Sequence, residues 1–203
     1  QSTPDTGSVS SEQSSTKELG SSYSSTTCRG YSIDTDSSGN AYIGGQWKKP
    51  YSSAGYYFPY IARLNQSGLG LEYIKYINDD YAYNDGVNNL CVHGSHIYVA
   101  YDGKGKSASS DGNIRRIVIC KINTSDGSVV WTRSVRTNRT GAGGGTERCT
   151  GIDTDSDGNV YYFIHTENDA NFGNQTDPTN AGSYVRNGIA KINADGSFGF
   201  CNV

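Results

Sequence analysis

Two phrases of this sequence recur along the chain, and they constrain its fold more than any single residue does. Residues 33–42 (IDTDSSGNAY) return 119 residues later as 152–161 (IDTDSDGNVY), with eight of ten positions identical. A second phrase occurs three times, at 61–65 (IARLN), 119–123 (ICKIN) and 189–193 (IAKIN). The 203 residues therefore contain three units of about 60 residues each, a spacing typical of tandem-repeat folds.

Each unit is predicted to form four short strands, because apolar and β-branched runs alternate with clusters of Asp, Gly, Asn and Ser. In the third unit the predicted strands are 150–153, 159–166, 185–193 and 197–202. The middle unit has residues 93–96 (HGSH) where the other two have the Asp-rich turn. Tyr98 still aligns with Tyr42 and Tyr161, so we expect these three tyrosines on equivalent strands.

The motifs of the third unit carry a family resemblance. Residues 155–161 read Asp-x-x-Gly-Asn-x-Tyr, and residues 189–197 read Ile-Ala-Lys-Ile-Asn-x-Asp-Gly-Ser. This pair resembles the bacterial-type β-propeller repeat called SBBP, over residues 29–203 in three copies, of which the middle one lacks the first motif. The resemblance implies propeller blades and an extracellular or cell-surface setting, and it implies no single activity.

The predicted fold is all-β, with three tandem four-stranded antiparallel blade-like repeats at 28–86, 87–146 and 147–203. Propellers close with about four to eight blades, so the ring is incomplete within one chain. Either the chain is a fragment, or a second copy completes the ring, or the units stack into an open assembly. The unpaired outer strands favour a homo-oligomer or polymer.

Residues 1–27 differ from the rest of the chain, because fifteen of them are Ser or Thr. Such a segment buries too little apolar surface to fold alone, so it needs another surface to hold it. We predict an arm that lies on its own chain or on a neighbouring subunit. Its anchors would be the few larger apolar residues: Val9, Leu19 and Tyr23.

Charge and composition narrow the choice of partners. The net charge is −3 and no run of Lys or Arg exceeds two residues, so nucleic acid is not an expected partner. The longest apolar runs have the length of strands, so no membrane span is expected. No nucleophile elbow, paired Cys and His or carboxylate dyad is recognisable, so the sequence does not predict an enzyme.

Asp153, Asp155 and Asp157 have the alternate spacing found in calcium-binding loops. The loop lacks the acidic residue with which such sites end, since Tyr161 and Ile164 stand at the two expected positions. A β-turn capped by Asp is therefore the favoured interpretation, and calcium is the alternative. No other cofactor is predicted.

Cysteines and glycosylation sequons offer further candidate sites. The five cysteines predict a disulfide and, because their number is odd, at least one remaining thiol, with buried thiols as the alternative. The cysteines are Cys28, Cys91, Cys120, Cys149 and Cys201. Sequons fall in predicted turns or loops, where a glycan could project. Their asparagines are Asn65, Asn123, Asn138 and Asn174.

Sixteen tyrosines remain, and one cluster of aromatic residues lies in the first repeat. The cluster contains Tyr56, Tyr57, Phe58 and Tyr60. Tyrosine is common in half-buried strands, but it is also enriched where proteins contact partners or sugars. The incomplete ring, the Ser/Thr-rich arm and the missing catalytic set together predict a structural protein of a filament or surface layer. A lectin-like or adhesive propeller is the alternative, and a fragment of a propeller enzyme is the least favoured.

Overall fold

The computed structural model of this protein describes residues 28–48, 57–67, 70–77, 86–104, 115–137, 148–166, 170–171 and 186–202. All regular secondary structure in these ranges is β-strand, and the strands form three antiparallel sheets with four main strands each. The predicted all-β fold of three four-stranded antiparallel units is therefore confirmed. The predicted arm at 1–27, with its anchors Val9, Leu19 and Tyr23, lies outside the described residues.

Each sheet uses its four strands in chain order. The first sheet contains β1 (Cys28–Thr35), β2 (Ala41–Lys48), β3 (Tyr57–Leu64) and β4 (Leu71–Tyr76). The second contains β5 (Val87–His93), β6 (His96–Lys104), β7 (Arg115–Asn123) and β8 (Val129–Thr137). The third contains β9 (Arg148–Thr154), β10 (Val160–Thr166), β12 (Arg186–Ile192) and β13 (Phe198–Asn202), and the two-residue β11 (Ala170–Asn171) pairs instead with β8 of the second sheet.

The strands of the third unit lie close to their predicted positions. β9 begins at Arg148, two residues before the predicted start, and β12 ends at Ile192. Asn193 was expected within that strand, but its backbone N–H donates to the carbonyl of Ser197 and so belongs to the following turn. Strand β11, with two residues and little sequence signal, was not predicted. The three equivalent tyrosines lie on β2, β6 and β10, as expected.

The hydrophobic cores lie between neighbouring sheets. One buried cluster joins the first and second sheets, and it includes Tyr42, Ile61, Val87 and Leu90. The other joins the second and third sheets. The first strands β1, β5 and β9 contact each other in turn along the stack. We call the side of a sheet that faces the following sheet its rear face, and the opposite side its front face.

Gly44, at the centre of β2, allows the first two sheets to approach closely. A Cβ atom at this position would lie 2.9 Å from Cδ2 of Leu90, and closer still to Cγ1 of Val87. The side chains of β5 therefore pack directly onto the rear face of the first sheet. Ala100 takes the position of Gly44 in the second sheet and is buried. Small residues at this position thus allow the following sheet to dock.

Candidate functional site

The first hairpin turn joins the first two strands of a sheet, and in the third sheet it is built around Asp155. Its Oδ1 accepts hydrogen bonds from the backbone N–H groups of Asp157 and Asn159, at 3.1 and 2.9 Å. Its Oδ2 accepts hydrogen bonds from Nδ2 of Asn159 and the hydroxyl of Tyr161, at 2.8 and 3.2 Å. The bond from the Asn159 side chain contributes most to the lowered pKa of Asp155, because these donors stabilise the carboxylate.

The first sheet builds the same turn around Asp36. Its two carboxylate oxygens accept hydrogen bonds from the backbone of Ser38 and Asn40, from the Asn40 side chain and from the Tyr42 hydroxyl, all at 2.8 to 2.9 Å. Gly39 has a φ of 81°, in the left-handed region that glycine tolerates best. The phrase that recurs in the sequence therefore encodes one hydrogen-bonded turn.

The first hairpin turn also holds the last hairpin turn, which joins the third and fourth main strands. In the third sheet Oδ1 of Asn159 accepts a hydrogen bond from the N–H of Ala194, at 3.1 Å. In the first sheet the equivalent donor is the N–H of Gln66. The second sheet lacks the Asp and Asn, and the carbonyl of Ser95 accepts instead from the N–H and hydroxyl of Thr124.

The predicted calcium ligands are not gathered around one point. Asp153 lies on β9 and Asp157 is exposed in the turn, whereas Asp155 already accepts four hydrogen bonds. Among the described residues, no group of three or more His, Cys, Asp or Glu could hold a metal ion. The hydrogen bonds account for Asp155 without a cation. Calcium binding stays a prediction, and a melting temperature unchanged by excess chelator would contradict it.

The last hairpin turn of the second sheet docks on the rear face of the first. The carbonyl of Thr124 accepts hydrogen bonds from the Tyr73 hydroxyl at 3.0 Å and from Nη1 of Arg63 at 3.4 Å. Cζ of Arg63 lies 5.8 Å from the centroid of the Tyr42 ring, and Nε pairs with Oε2 of Glu72 at 3.0 Å. We call Tyr42, Arg63 and Tyr73 the first platform.

The third sheet docks on the second in the same way. The carbonyl of Ala194, in the last hairpin turn, accepts hydrogen bonds from Nζ of Lys121 at 3.2 Å and from Nε1 of Trp131 at 3.4 Å. Nζ of Lys121 lies 5.6 Å from the centroid of the Tyr98 ring. We call Tyr98, Lys121 and Trp131 the second platform. Each internal contact thus places a basic and an aromatic side chain on a turn carbonyl.

The third sheet carries the same arrangement on its rear face. Nζ of Lys191 lies 5.5 Å from the ring centroid of Tyr161, and the rings of Tyr161 and Phe200 lie 6.3 Å apart at 60°. We call these residues the third platform. No hydrogen bond joins Nζ of Lys191 to any residue that the structure describes. Sequence reasoning missed all three platforms, although the basic residue inside the thrice-repeated phrase was a usable signal.

The first strands are joined by bonds between side chains and backbone. Oδ2 of Asp34 accepts a hydrogen bond from the N–H of Val92, at 2.8 Å. Between the next two sheets, Nδ2 of Asn89 donates to the carbonyl of Cys149, at 2.8 Å. These bonds satisfy backbone groups on the exposed edge of each following strand, which sheet pairing alone would leave without partners.

The five cysteines are present as thiols, so the disulfide predicted from the sequence is not formed. Cys91 and Cys149 belong to the core between the second and third sheets, and Cys120 belongs to the other core. Burial raises the pKa of Cys91 and of Cys149 to about 12, which makes both thiols poor nucleophiles. Cys28 and Cys201 are half-buried on β1 and β13.

The aromatic cluster of the first repeat divides between surface and core. Tyr57 and Phe58 are half-buried on β3, whereas Tyr60 is only 2% exposed. Burial raises the pKa of Tyr60, and its ring is too buried to contribute to a binding face. Tyr56 lies outside the described residues.

Two of the predicted sequons lie in last hairpin turns. Asn65 accepts a hydrogen bond from the N–H of Gly70, and Nδ2 of Asn123 donates to Oγ of Ser128 at 2.8 Å. The side chains that a glycan would modify thus take part in the turns. Asn138 and Asn174 lie outside the described residues, and glycosylation stays a prediction at all four sites.

Comparison with known proteins identifies no family for this chain. No protein-family model matches the chain, and no curated protein matches it in sequence. Within the described ranges, no helix is long and apolar enough to cross a membrane.

Proposed function

We propose that this protein is a structural subunit of an extracellular filament or surface layer, assembled through contacts between copies of the chain. Exposure at the two ends of the stack carries the proposal. Ile33 on the first sheet is 65% exposed, whereas the equivalent Leu90 is 7% exposed in the contact between sheets. Ile189 on the third sheet is 42% exposed, whereas the equivalent Ile119 is fully buried.

Apolar side chains that are buried in each internal contact and exposed at both ends favour a surface that another sheet covers. The resemblance to SBBP-type repeats supports the extracellular setting. The Ser/Thr-rich arm supplies a second contact, in which its anchors Val9, Leu19 and Tyr23 hold it along an exposed strand edge of a neighbouring subunit.

Negative-stain microscopy and sedimentation velocity of the full chain test the proposal. Polymers or closed oligomers are expected, and a chain that stays monomeric at every concentration would contradict it. Deleting residues 1–20 separates the role of the arm. The truncated chain is expected to keep the β-sheet circular dichroism spectrum of the full chain and to lose polymerisation if the arm carries the contact.

A lectin-like or adhesive module is the second candidate. Trp47 and Tyr76 stack at 4.4 Å between ring centroids on the first sheet, and both Tyr76 and Tyr31 are exposed. Exposed stacked rings suit the apolar faces of sugars. Binding of the full chain to a glycan array tests this role, and Tyr76→Ala is expected to remove any such binding.

A further inference from the structure

The two internal contacts share one arrangement, in which a platform on one sheet binds a turn of the next sheet. The third platform has the basic and aromatic residues of this arrangement but no turn bound to it within the described residues. In each contact a basic and an aromatic side chain donate hydrogen bonds to the carbonyl of the residue after the turn asparagine. Lys191 and Tyr161 keep the cation–π geometry of the occupied platforms, at 5.5 Å against 5.6 and 5.8 Å. Phe200 offers an apolar ring without a donor. The rear face of the third sheet is thus prepared for another turn of the same kind.

The chain contains one more turn of this kind, at the start of the stack. Gln66 follows Asn65 as Thr124 and Ala194 follow their asparagines, and its N–H bonds to the first hairpin turn as that of Ala194 does. Gln66 is exposed, and so is Ile33 on β1 of the same sheet. We infer that the third platform binds the first sheet of a second copy of this chain, with Lys191 donating to the carbonyl of Gln66.

This inference rests on the proposed function and names the two surfaces that would form the assembly. The contact would also bring Asp153, the equivalent of Asp34, near Thr35 of the second copy, but the N–H of Thr35 already donates to its own Asp34 at 2.8 Å, so this bond does not carry the contact. Thr35 stands where Val92 stands in the second sheet, and Val92 donates to Asp34 in the first internal contact.

The charged residues on the two sides of a contact differ between the internal contacts and the proposed one, and they differ together. Lys75 of the first sheet packs over Gly127, next to Asp126 in the turn that docks there. Arg133 of the second sheet donates to the carbonyl of Gly196, next to Asp195 in its docking turn. Each internal contact therefore places a base of the sheet against the glycine that follows an acid of the turn.

The proposed contact lacks both members of this pair. Asn202 pairs with Ile189 on the third sheet, as Lys75 pairs with Ile61 and Arg133 with Ile119, so it stands in the position of the base. Residues 65–70 (NQSGLG) include no Asp or Glu. Loss of the base alone would leave an unpaired carboxylate, and the joint loss keeps the two surfaces complementary.

Side-chain sizes change together as well. Where the first two sheets approach closely, Gly44 on β2 faces the larger Val87 on β5, and the register places Ala100 and Cys149 at the equivalent positions of the second contact. Phe163 breaks this pattern on the third sheet, where it is 46% exposed. On the first strand of the first sheet, the residue that stands where Val87 and Cys149 stand in the other two sheets is a glycine. The pairs are Gly44 with Val87, Ala100 with Cys149 and, at the proposed contact, Phe163 with Gly30.

A contact between unlike surfaces is heterologous, so it either closes a ring or grows into a filament. Two copies would supply six sheets, within the range of closed propellers. Ala62 and Tyr60 are buried on the front face of the first sheet, so the surface available there lies mainly at β1 and the turn around Gln66. The arm of the same chain is the competing occupant of either surface.

Two single variants and their mixture test the inference. Lys191→Glu places a carboxylate against the Gln66 carbonyl, and Ile33→Arg places a charge in the apolar front surface. Each variant alone is expected to weaken self-association of the full chain about tenfold or more in sedimentation velocity. An equimolar mixture is expected to form a 1:1 dimer, because one partner keeps a working third platform and the other keeps a working first sheet.

Val130→Arg is the matched control, since Val130 is an exposed apolar residue of the second sheet outside both surfaces. Unchanged circular dichroism verifies folding, and Phe200→Ala serves as a second platform variant. If the wild-type chain assembles while both variants assemble equally well, or their mixture stays monomeric, the inference is wrong and the proposed function stands. Loss of assembly only on deletion of residues 1–20 would assign the contact to the arm. A monomeric wild-type chain would overturn both.

Discussion

A single asparagine holds two turns together in the first sheet. Asn40 is buried; its backbone and side-chain N–H groups donate to Asp36, and its Oδ1 accepts from the N–H of Gln66. The recurrence of Asp, Gly and Asn predicted the turn itself, because these residues favour tight turns locally. The partner 26 residues away could not be predicted, because it depends on the pairing of β2 with β3.

Replacing this asparagine tests the network. We expect Asn40→Ala to lower the free energy of unfolding by about 1–3 kcal/mol, because it leaves the Gln66 N–H and part of the Asp36 carboxylate without partners. Urea denaturation measures the change. Ser38→Ala is the control, because only the backbone of Ser38 bonds to Asp36, and it is expected to stay within about 0.5 kcal/mol of wild type. Equal losses in the two variants would contradict this role.

The turn carboxylates also predict a pH dependence. Hydrogen bonds lower the pKa of Asp126, Asp155 and Asp195 below the usual 3.8. Since the folded pKa is depressed, each group stabilises the fold above about pH 4, and that stability is lost as the pH falls through the folded pKa. When unfolding is measured from pH 6 to pH 2, the urea concentration at the midpoint should therefore stay constant down to about pH 4 and decrease at lower pH. Asp155→Asn is expected to show a smaller fall, and an identical fall would contradict the assignment.

At the scale of elements, the second sheet shows how a turn can be replaced. Its first hairpin turn is short, with His93 paired to His96 and Gly94 at a φ of 58°. The carbonyl of Ser95 then takes the acceptor role that asparagine has in the other sheets. The sequence shows that the Asp motif is missing there, but a backbone carbonyl leaves no trace in the residue types. The compensation therefore became visible only in the structure.

Packing between elements is tightest at Gly44. We expect Gly44→Ala to destabilise the fold by about 1–3 kcal/mol, because the added methyl group would overlap the side chains of Val87 and Leu90. Thermal and urea unfolding measure the effect. Gly151→Ala is the control, since a Cβ there would be 3.9 Å from its nearest neighbour, the Cβ of Phe163. The double variant Gly44→Ala/Val87→Ala is expected to lose less stability than the sum of the two single variants, because the clash with Cγ1 of Val87 is removed. A fully additive loss would locate the cost elsewhere.

At the scale of the whole molecule, the repeats determine what the sequence could predict. Period and turn residues predict three four-stranded units, because both are local signals. They do not predict the platforms, in which a residue such as Lys121 contacts a turn 73 residues away. The prediction of a disulfide was wrong because it too depends on contacts between distant parts of the chain. Cys91 and Cys149 share one core and Cys201 packs against it, but a disulfide also needs two sulfurs in bonding geometry, which depends on how the sheets pack. Cys120 belongs to the other core and Cys28 lies on β1.

Salt dependence distinguishes the proposed contact from an ionic one. The contact buries Ile33, Phe163 and Ile189 and lacks the acid and base found at the internal contacts. We therefore expect self-association of the full chain to change by less than about threefold when NaCl rises from about 0.05 to 0.5 M, because screening acts mainly on charge pairs. Sodium sulfate at about 0.5 M is expected to strengthen it, since sulfate favours the burial of apolar surface. Sedimentation velocity measures both responses, with Lys191→Glu and Val130→Arg run alongside. A steep loss of assembly with NaCl would contradict the inferred contact, because Lys191 is expected there to meet a carbonyl rather than a carboxylate.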